Sequence, residues 1–319
     1  MLSSKRRGEM AKVVEVEGLR KTYGATVAVD EASFSVEEGE IFGILGPNGV
    51  GKTTTVECIV GLRTPDAGEI RVLGLDPRRQ RDQLREQVGV QLQQSALAAK
   101  LKVGEALELY RSFYSDPDDP VVLMDALGLS EKRDTYFKRL SGGQKQRLSI
   151  ALALIGRPKV AVLDELTTGL DPGARRDTWE LIEGVRQRGV TILLVTHYMD
   201  EAERLCDRVA LFDAGRIVAI DSPQGLAAQV QGGKLVRFLS SGPFAESVLT
   251  GLPEVCGLEW QGEHAVVRGS GDLVNAVILA LDRVGVAAHH VEMGNASLED
   301  AFVRLTGDAT DPMKGNVRS

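Results

Sequence analysis

A glycine-rich octapeptide, GPNGVGKT, runs from Gly46 to Thr53 and has the residue types and spacing of a phosphate-binding loop. An apolar run before it, EIFGIL, predicts a buried strand, and the TTTVECIVGL after it predicts a helix. The loop glycines allow successive backbone N–H groups to face one anion, and the helix start adds the positive end of its dipole. Lys52 supplies a mobile charge for the outer phosphates. We expect the Thr53 hydroxyl to bind Mg²⁺.

Two acids, Asp164 and Glu165, end a second apolar run, KVAVLDE. A carboxylate at the end of a buried strand is costly unless it is paired or bound to a metal. Beside a phosphate loop, such an acid holds the magnesium shell. We therefore expect Asp164 to join Thr53 at Mg²⁺, and Glu165 to polarise an attacking water. Simple capping of a loop is the alternative for two acids here, and the neighbouring phosphate loop makes it less favoured.

His197 follows a third apolar run, VTILLVT. A lone histidine is more often a core or turn residue than a functional one, but its position favours function here. In open α/β sheets, ligands bind beyond the carboxyl ends of the strands, and Lys52, Asp164 and Glu165 also follow such ends. We predict that His197 reaches the outermost phosphate and the water beside Glu165.

Two other side chains could contribute to the same site. Gln93 follows the apolar VGVQL and could bring its amide oxygen to Mg²⁺ or to the water, although Gln91 and Gln94 are close enough to leave the choice open. Tyr23, in RKTYGATVAV, is placed to stack on an aromatic base. The alternative for Tyr23 is an ordinary aromatic residue in a turn.

The stretch LSGGQKQR presents a second candidate anion site. Ser141 and Gln144 have the spacing of a capping box at a helix start, yet Gly142 and Gly143 each cost about 1 kcal/mol against alanine in a helix. A helix start without covering side chains suits a closely approaching anion. Because the chain already has a complete phosphate loop, we interpret Ser141 to Gln144 as half of a site that another molecule completes.

The elements that must position these residues can be inferred from the hydrophobic pattern. Buried apolar runs separated by helical segments predict a parallel sheet with crossovers, in an α/β phosphate-loop NTPase core. Alternation within residues 12–36 predicts an antiparallel β subdomain, and residues 94–158 are mostly helical in pattern. The order of elements beyond residue 228 is strand, helix, strand, strand, helix, strand, which is typical of a small ferredoxin-like α+β domain.

The predicted domain limits rest on the same patterns and on polar, glycine-containing stretches. We expect a flexible N-terminus at residues 1–11, a nucleotide-binding domain at 12–228 with its helical subdomain at about 94–158, a C-terminal accessory α+β domain at 229–307, and a disordered tail at 308–319.

Five motifs in this order, GPNGVGKT, LSGGQ, AVLDE, GLDP and VTH, resemble those of the ATP-binding-cassette (ABC) ATPases over roughly residues 13–224. The resemblance implies an ATPase with ATP and Mg²⁺ as ligands, in which two ATP molecules lie between the phosphate loop of one subunit and LSGGQ of the other. It implies that Tyr23 stacks on adenine, Gln93 is the coupling glutamine and a metal ligand, Asp171 of GLDP crosses the interface, and His197 is the switch histidine.

The resemblance assigns residues to each part of this site: catalysis, Glu165 and His197; ATP binding, Tyr23, Gly46, Pro47, Asn48, Gly49, Val50, Gly51, Lys52, Thr53 and Thr54; the signature acting in the second subunit, Ser141, Gly142, Gly143 and Gln144; the interface, Asp171; the metal, Thr53, Gln93 and Asp164. One departure is Leu166 after Glu165, where the family most often has proline. Leucine restricts the local φ angle less, so the placement of Glu165 depends more on its surroundings.

The segment SLEDAFVRLTG and the domain before it resemble the bacterial drug-resistance type of ABC exporter ATPase, which pairs with a separate membrane permease. That resemblance implies a homodimer around two ATP molecules at the cytoplasmic face of a bacterial membrane, exporting a drug, a lipid or another small molecule. The alternative is a soluble ABC ATPase that acts as a switch on the ribosome or DNA. A net charge of −7 disfavours sequence-independent nucleic-acid binding, and no apolar run approaches the roughly 20 residues of a membrane helix.

Overall fold

The computed structural model describes residues 11–92, 97–229, 233–295 and 297–306. The chain divides into two compact units between Ile220 and Asp221. The first unit contains β1 (Lys12–Tyr23), β2 (Thr26–Glu37), β3 (Ile41–Leu45), α1 (Lys52–Ile59), β4 (Ala67–Val72), α2 (Arg81–Arg85), β5 (Val88–Gln91), α3 (Val103–Arg111), α4 (Pro120–Ala126), α5 (Gly142–Leu154), β6 (Val160–Asp164), α6 (Pro172–Gln187), β7 (Thr191–Thr196), α7 (Met199–Leu205), β8 (Arg208–Asp213) and β9 (Arg216–Asp221). The second contains α8 (Pro223–Ala228), β10 (Lys234–Ser240), α9 (Ser247–Thr250), β11 (Val255–Gln261), β12 (His264–Gly269), α10 (Leu273–Arg283), β13 (Ala288–Asn295) and α11 (Leu298–Thr306).

A six-stranded sheet in the order β5-β6-β7-β3-β8-β9 forms the centre of the first unit. The predicted parallel pairing is confirmed between β5 and β6, β6 and β7, β3 and β7, and β3 and β8. Every residue of β3, β6 and β7 is buried, which explains why these strands read as continuous apolar runs. The register sets Leu45 beside Thr196 and Asp164 beside Val195. The loops after these three strands therefore start at one edge of the sheet.

An antiparallel sheet in the order β2-β1-β4 covers α1. Strand β1 pairs antiparallel with both neighbours, as the alternating pattern predicts for β1 and β2. Apolar side chains from this sheet and from the central sheet share one core with Val56 and Ile59 of α1. This packing fixes the helix that begins at Lys52.

Helices α3, α4 and α5 form the predicted helical insert, and α5 anchors it to the central sheet. Gly89 of β5 lies so close to α5 that an added Cβ would be 2.0 Å from the carbonyl oxygen of Ala153. Only glycine permits that approach without a shift of the helix. The position of the start of α5, at Gly142, is thus coupled to the sheet through close backbone packing.

The second unit has a four-stranded antiparallel sheet in the order β11-β12-β10-β13. Side chains of α9 and α10, including Leu249, Val277 and Leu281, pack against alternate residues of β10 and β12 to form its core. The elements from β10 to β13 follow one another in the order that the sequence predicts.

The division between the units falls earlier than the predicted limit at residue 228. Helix α8 belongs to the second unit because it packs against α11. Sequence analysis did not identify α8, whose start is marked only by Ser222, which caps the backbone N–H of Gly225 at 3.0 Å, and by Pro223. The predicted flexible N-terminus and disordered tail lie, apart from Ala11, outside the described residues, and so remain predictions.

Candidate functional site

The loop between β3 and α1 is held by close backbone contacts. An added Cβ at Gly46 would lie 2.4 Å from the carbonyl oxygen of Phe212, and one at Gly51 would lie 2.1 Å from that of Ala28. Gly51 also has a φ of 98°, which disfavours any side chain. Glycine is therefore required at these two positions by the chain itself, and the loop is wedged between β2 and β8.

Lys52 is folded back over the loop. Its Nζ donates to the carbonyl oxygens of Gly46 at 2.7 Å and Pro47 at 2.8 Å, and the residue is only 4% exposed. Burial lowers the pKa of Lys52, while the carboxylates of Glu165 and Asp164 oppose that change. The ammonium group is thus desolvated and bound only to neutral carbonyl oxygens among the described residues, which suits a charge that must turn to an incoming anion.

Asp164 and Thr53 lie together as predicted for a metal pair. The Thr53 hydroxyl is 3.3 Å from Oδ2 of Asp164, and the backbone N–H of Asp164 donates to Oε1 of Gln91 at 3.2 Å. Asp164 is fully buried, and its Oδ1 has no hydrogen-bond partner among the described residues. Burial, with a smaller contribution from Glu165, raises the pKa of Asp164 to about 6. An unsatisfied buried carboxylate oxygen beside a hydroxyl is an arrangement that a hard divalent cation would satisfy.

Glu165 and His197 form a contact across the ends of β6 and β7. Oε1 of Glu165 lies 3.3 Å from Nδ1 of His197. Glu165 has a φ of 50°, in the left-handed region that a side chain adopts rarely, and its N–H donates to the carbonyl oxygen of Val195 at 2.9 Å. The next residue, Leu166, is 1% exposed, so it anchors the turn by burial rather than by a fixed φ. Such strain is often found where a side chain must be aimed at a reaction.

A cavity of about 350 Å³ opens above the phosphate-binding loop. Its lining residues are Ala28, Asn48, Gly49, Gly51, Lys52, Thr53, Thr54 and Glu165. An added Cβ at Gly49 would meet nothing within 4 Å in the chain, although its φ of 85° favours glycine. The loop amides, Lys52, the threonine hydroxyls and Glu165 are therefore brought to one cavity, and Asp164 adjoins it through its contact with Thr53.

The signature segment lies at a different cavity, of about 500 Å³. The capping box predicted from sequence is confirmed, because Gln144 N–H donates to Ser141 Oγ at 3.2 Å and Ser141 N–H donates to Gln144 Oε1 at 3.0 Å. Asp171 lines the same cavity and caps α6 by accepting from the N–H groups of Gly173 and Ala174. The two cavities have no lining residue in common.

Tyr23 ends β1 and is 41% exposed. The guanidinium of Arg63 lies 5.4 Å from its ring centroid, and Nζ of Lys21 lies 5.7 Å from it. Tyr23 is not among the residues that line the loop cavity. Gln93 and Gln94 lie outside the described residues, so that prediction stays untested, whereas the neighbouring Gln91 contacts Asp164 directly.

Sequence reasoning missed three participants. Ala28 limits the loop through its carbonyl oxygen, and Arg63 lies over Tyr23, but neither residue belongs to a motif. Glu201, in the MDEAERL segment of α7, is fully buried although it is an acid. The sequence feature that could have identified Glu201 is the position of an acidic residue on the apolar face of a helix, with Ala202 and Leu205.

Comparison with known proteins shows the family and the fold of this chain. A protein-family model described as ABC transporter matches residues 29–168. The Nod factor export ATP-binding protein I of Ralstonia nicotianae is 36% identical over 301 residues, which cover 92% of this chain and 94% of that protein.

Two solved structures give the same fold for the part they cover. One is the cbiO1 protein of Clostridium perfringens, part of the ABC transporter complex cbiONQ, which is 29% identical to this chain with a TM-score of 0.63. The match covers 69% of this chain and 92% of the cbiO1 chain. A dimeric post-hydrolysis state of the ATP-binding cassette MJ0796, bound to ADP and Pi, is 25% identical with a TM-score of 0.59 and covers 66% of this chain and 98% of its own.

The raised pKa of Asp164 predicts a stability cost in the nucleotide-free chain. Since the folded pKa is about 6, above the ordinary value, ionisation disfavours the folded state as the pH rises from about 4 through 6. We expect Asp164→Asn to raise the free energy of unfolding at pH 7.5 by about 1–2 kcal/mol, and the gain to shrink at pH 5. Urea unfolding at both pH values measures this.

Asp171→Asn is the matched control. Backbone N–H donors hold the pKa of Asp171 below its ordinary value, so its ionised form is favoured in the fold, and the substitution should bring no gain at pH 7.5. A loss of stability in Asp164→Asn at pH 7.5 would contradict the prediction.

Proposed function

Because this chain belongs to the ATP-binding subunits of ABC transporters and is an ATPase, we propose that it closes around two ATP molecules as a homodimer and drives export through a membrane permease. The observation that carries the proposal is the contact of Glu165 with His197 beside the loop cavity, with the unsatisfied Oδ1 of Asp164 next to Thr53. A separate permease is implied by the family. Within the residues the structure describes, no helix is long and apolar enough to cross a bilayer.

In the proposed site, the loop amides, Lys52 and Thr54 would bind the phosphates, and Thr53 with Asp164 would hold Mg²⁺. Gln93 would complete that shell, as the family pattern implies. The metal, when bound, neutralises charge on the outer phosphates. Glu165 orients and polarises the attacking water, and His197 holds Glu165 and reaches the γ-phosphate. Tyr23 stacks on the adenine, with the cation of Arg63 close to its ring.

The proposed dimer is supported by the contacts of the signature glycines. An added Cβ at Gly142 would lie 3.5 Å from Leu170 Cδ2, and one at Gly143 would lie 3.5 Å from Ala174 Cβ, both ordinary contacts. Neither glycine has a positive φ. Nothing inside the described chain therefore requires glycine there, in contrast to Gly46 and Gly51, and the helix would be more stable with alanine. A requirement from outside the chain, such as the nucleotide of a second subunit, accounts for both.

The export role is supported by relatives named Nod factor export ATP-binding protein I, which match the chain over 92% of its length. We infer export of a drug, a lipid or another small molecule, whose contacts would lie in the permease, and a peripheral location at the cytoplasmic face of a bacterial membrane. We also infer that the elements from β10 to α11 of the second unit form a ferredoxin-like accessory domain, which the strand order β11-β12-β10-β13 supports. A role on the ribosome or DNA is not favoured.

Removal of the carboxylate at Glu165 tests the catalytic assignment. We expect Glu165→Gln to retain ATP binding but to lower turnover by roughly 10²- to 10⁴-fold, since a general base contributes about that much. ATP should then trap a dimer, visible by size-exclusion chromatography. Glu69→Gln, an exposed acid on β4, is the control and should hydrolyse ATP normally. Hydrolysis at the wild-type rate by Glu165→Gln would remove Glu165 from the reaction.

Mixing two inactive variants tests whether the signature acts in the second subunit. Lys52→Ala damages the loop and Gly143→Ala damages the signature, so each homodimer has two defective sites. In a mixed dimer, both defects fall in one site and the other site is native. We expect part of the ATPase activity to return on mixing. If the signature served the loop of its own chain, each subunit would keep its own defect and mixing would restore nothing.

Co-purification tests the partner. When the tagged chain is extracted with detergent from membranes of its native host, we expect an integral membrane protein to be recovered with it in constant proportion. ATP with Glu165→Gln should preserve the complex. Recovery with ribosomes, and never with an integral membrane protein, would contradict the transport role.

A further inference from the structure

Glu201 is a buried acid that the proposed reaction does not use. It lies on α7, four residues after His197, and is fully buried. Its Oε1 accepts a hydrogen bond of 3.1 Å from the indole N–H of Trp179 on α6. Removing a carboxylate from water costs free energy unless other groups form hydrogen bonds with it. The groups around Glu201 should therefore be needed to keep an acid at this buried position.

The partners of Glu201 come from the two segments that carry the catalytic pair. Burial raises the pKa of Glu201, and the hydroxyls of Thr196 and Thr167, with the indole of Trp179, oppose that rise. Thr196 is the last residue of β7 and directly precedes His197. Thr167 lies two residues after Glu165, in the loop between β6 and α6. Both threonines are fully buried.

The contacts of the Glu201 carboxylate with the two threonines are incompletely formed. Oε2 of Glu201 and Oγ1 of Thr167 are both buried, and neither has a partner within hydrogen-bond geometry in the described part of the chain. The Thr196 hydroxyl accepts from Tyr198 N–H at 3.0 Å and retains its own proton to donate. A small movement of the loop that carries Thr167 would satisfy two buried polar atoms at once.

The same loop holds Glu165 in an unfavourable backbone conformation. With a φ of 50°, Glu165 is held by the hydrogen bond from its N–H to Val195 and by the residues after it in the loop. A carboxylate that joins Thr167 to Thr196 would brace this turn across the ends of β6 and β7, which Glu165 and His197 also join. Hydrogen bonds at catalytic sites are often long without substrate and shorten with it.

We propose that Glu201 is a positioning residue that joins the loop after β6, through Thr167, to the end of β7, through Thr196, and thereby holds Glu165 against His197 when nucleotide is bound. The inference rests on the proposed ATPase site. Glu201 itself does not line the cavity above the phosphate-binding loop.

Paired substitutions at Thr167 test this role with little change in volume. Thr167→Val removes the hydroxyl, and Thr167→Ser retains it. We expect Thr167→Val and Glu201→Gln to lower kcat roughly 10- to 10²-fold, as small misplacements of reacting groups do, with the Kd for ATP unchanged. Thr167→Ser should retain nearly normal kcat.

Thr178→Val is the control for a purely structural effect. Thr178 is also a buried threonine, but its hydroxyl donates to the carbonyl of Ala174 within α6, at 2.8 Å. We expect it to lower stability without lowering kcat. If Thr167→Val lowers stability as Thr178→Val does but leaves kcat normal, the proposal is overturned.

Tryptophan fluorescence gives a second readout. The chain has two tryptophans, so Trp260→Phe leaves Trp179 alone as a reporter beside Glu201. With Glu165→Gln to stop hydrolysis, added ATP should change the Trp179 emission, and Thr167→Val should abolish that change. Emission that does not respond to ATP, or responds equally in Thr167→Val, would overturn the proposal.

Failure of the proposed ATPase function and failure of the proposed role of Glu201 would give different experimental results. If the wild-type chain neither binds nor hydrolyses ATP, the proposed function itself is wrong and the role of Glu201 falls with it. If the wild type hydrolyses ATP and the Thr167→Val and Glu201→Gln proteins do so at the same rate, only the inference about Glu201 is wrong.

Discussion

The parallel pairing of β3, β6 and β7 is the constraint on which the site depends. Parallel strands end at the same edge of a sheet, and the register sets Leu45 beside Thr196 and Asp164 beside Val195. A lysine, two acids and a histidine that are far apart in the chain therefore reach one place. A shift of one residue in β6 would turn Asp164 from one face of the sheet to the other and separate it from Thr53.

The same constraint destabilises several groups of the site through desolvation and backbone strain, and ligand binding can relieve both. Desolvation lowers the pKa of Lys52 and raises that of Asp164, so the nucleotide-free chain holds two charged groups in surroundings that favour neither. Glu165 adds backbone strain. A phosphate–metal ligand would satisfy both charges simultaneously, so the free energy of binding includes relief of costs already present in the fold. A site arranged for stability alone would have neutral groups at these positions.

Much of this arrangement could be predicted from sequence because its signals are local. The loop glycines, the acids that end KVAVLDE and the capping box at Ser141 each combine a residue type with a strand or helix boundary. Arg63 and Ala28 could not be found in this way, because each reaches the site only through a contact between distant segments. The boundary was predicted too late in the chain for the same reason: only the packing of α8 against α11 places residues 223–228 in the second unit.

The glycines of the two anion sites have different explanations: close contacts within the chain at one site, and an approaching molecule at the other. At Gly51, a side chain would strike the backbone of β2, so that glycine is explained by this fold. At Gly143, a side chain would fit, and the helix would gain stability. A residue that costs stability and relieves no contact within its own chain must be explained by something that approaches from outside. The Ser141 cavity and the loop cavity share no lining residue, so in the dimer that we propose, head-to-tail pairing of two chains would complete both at once.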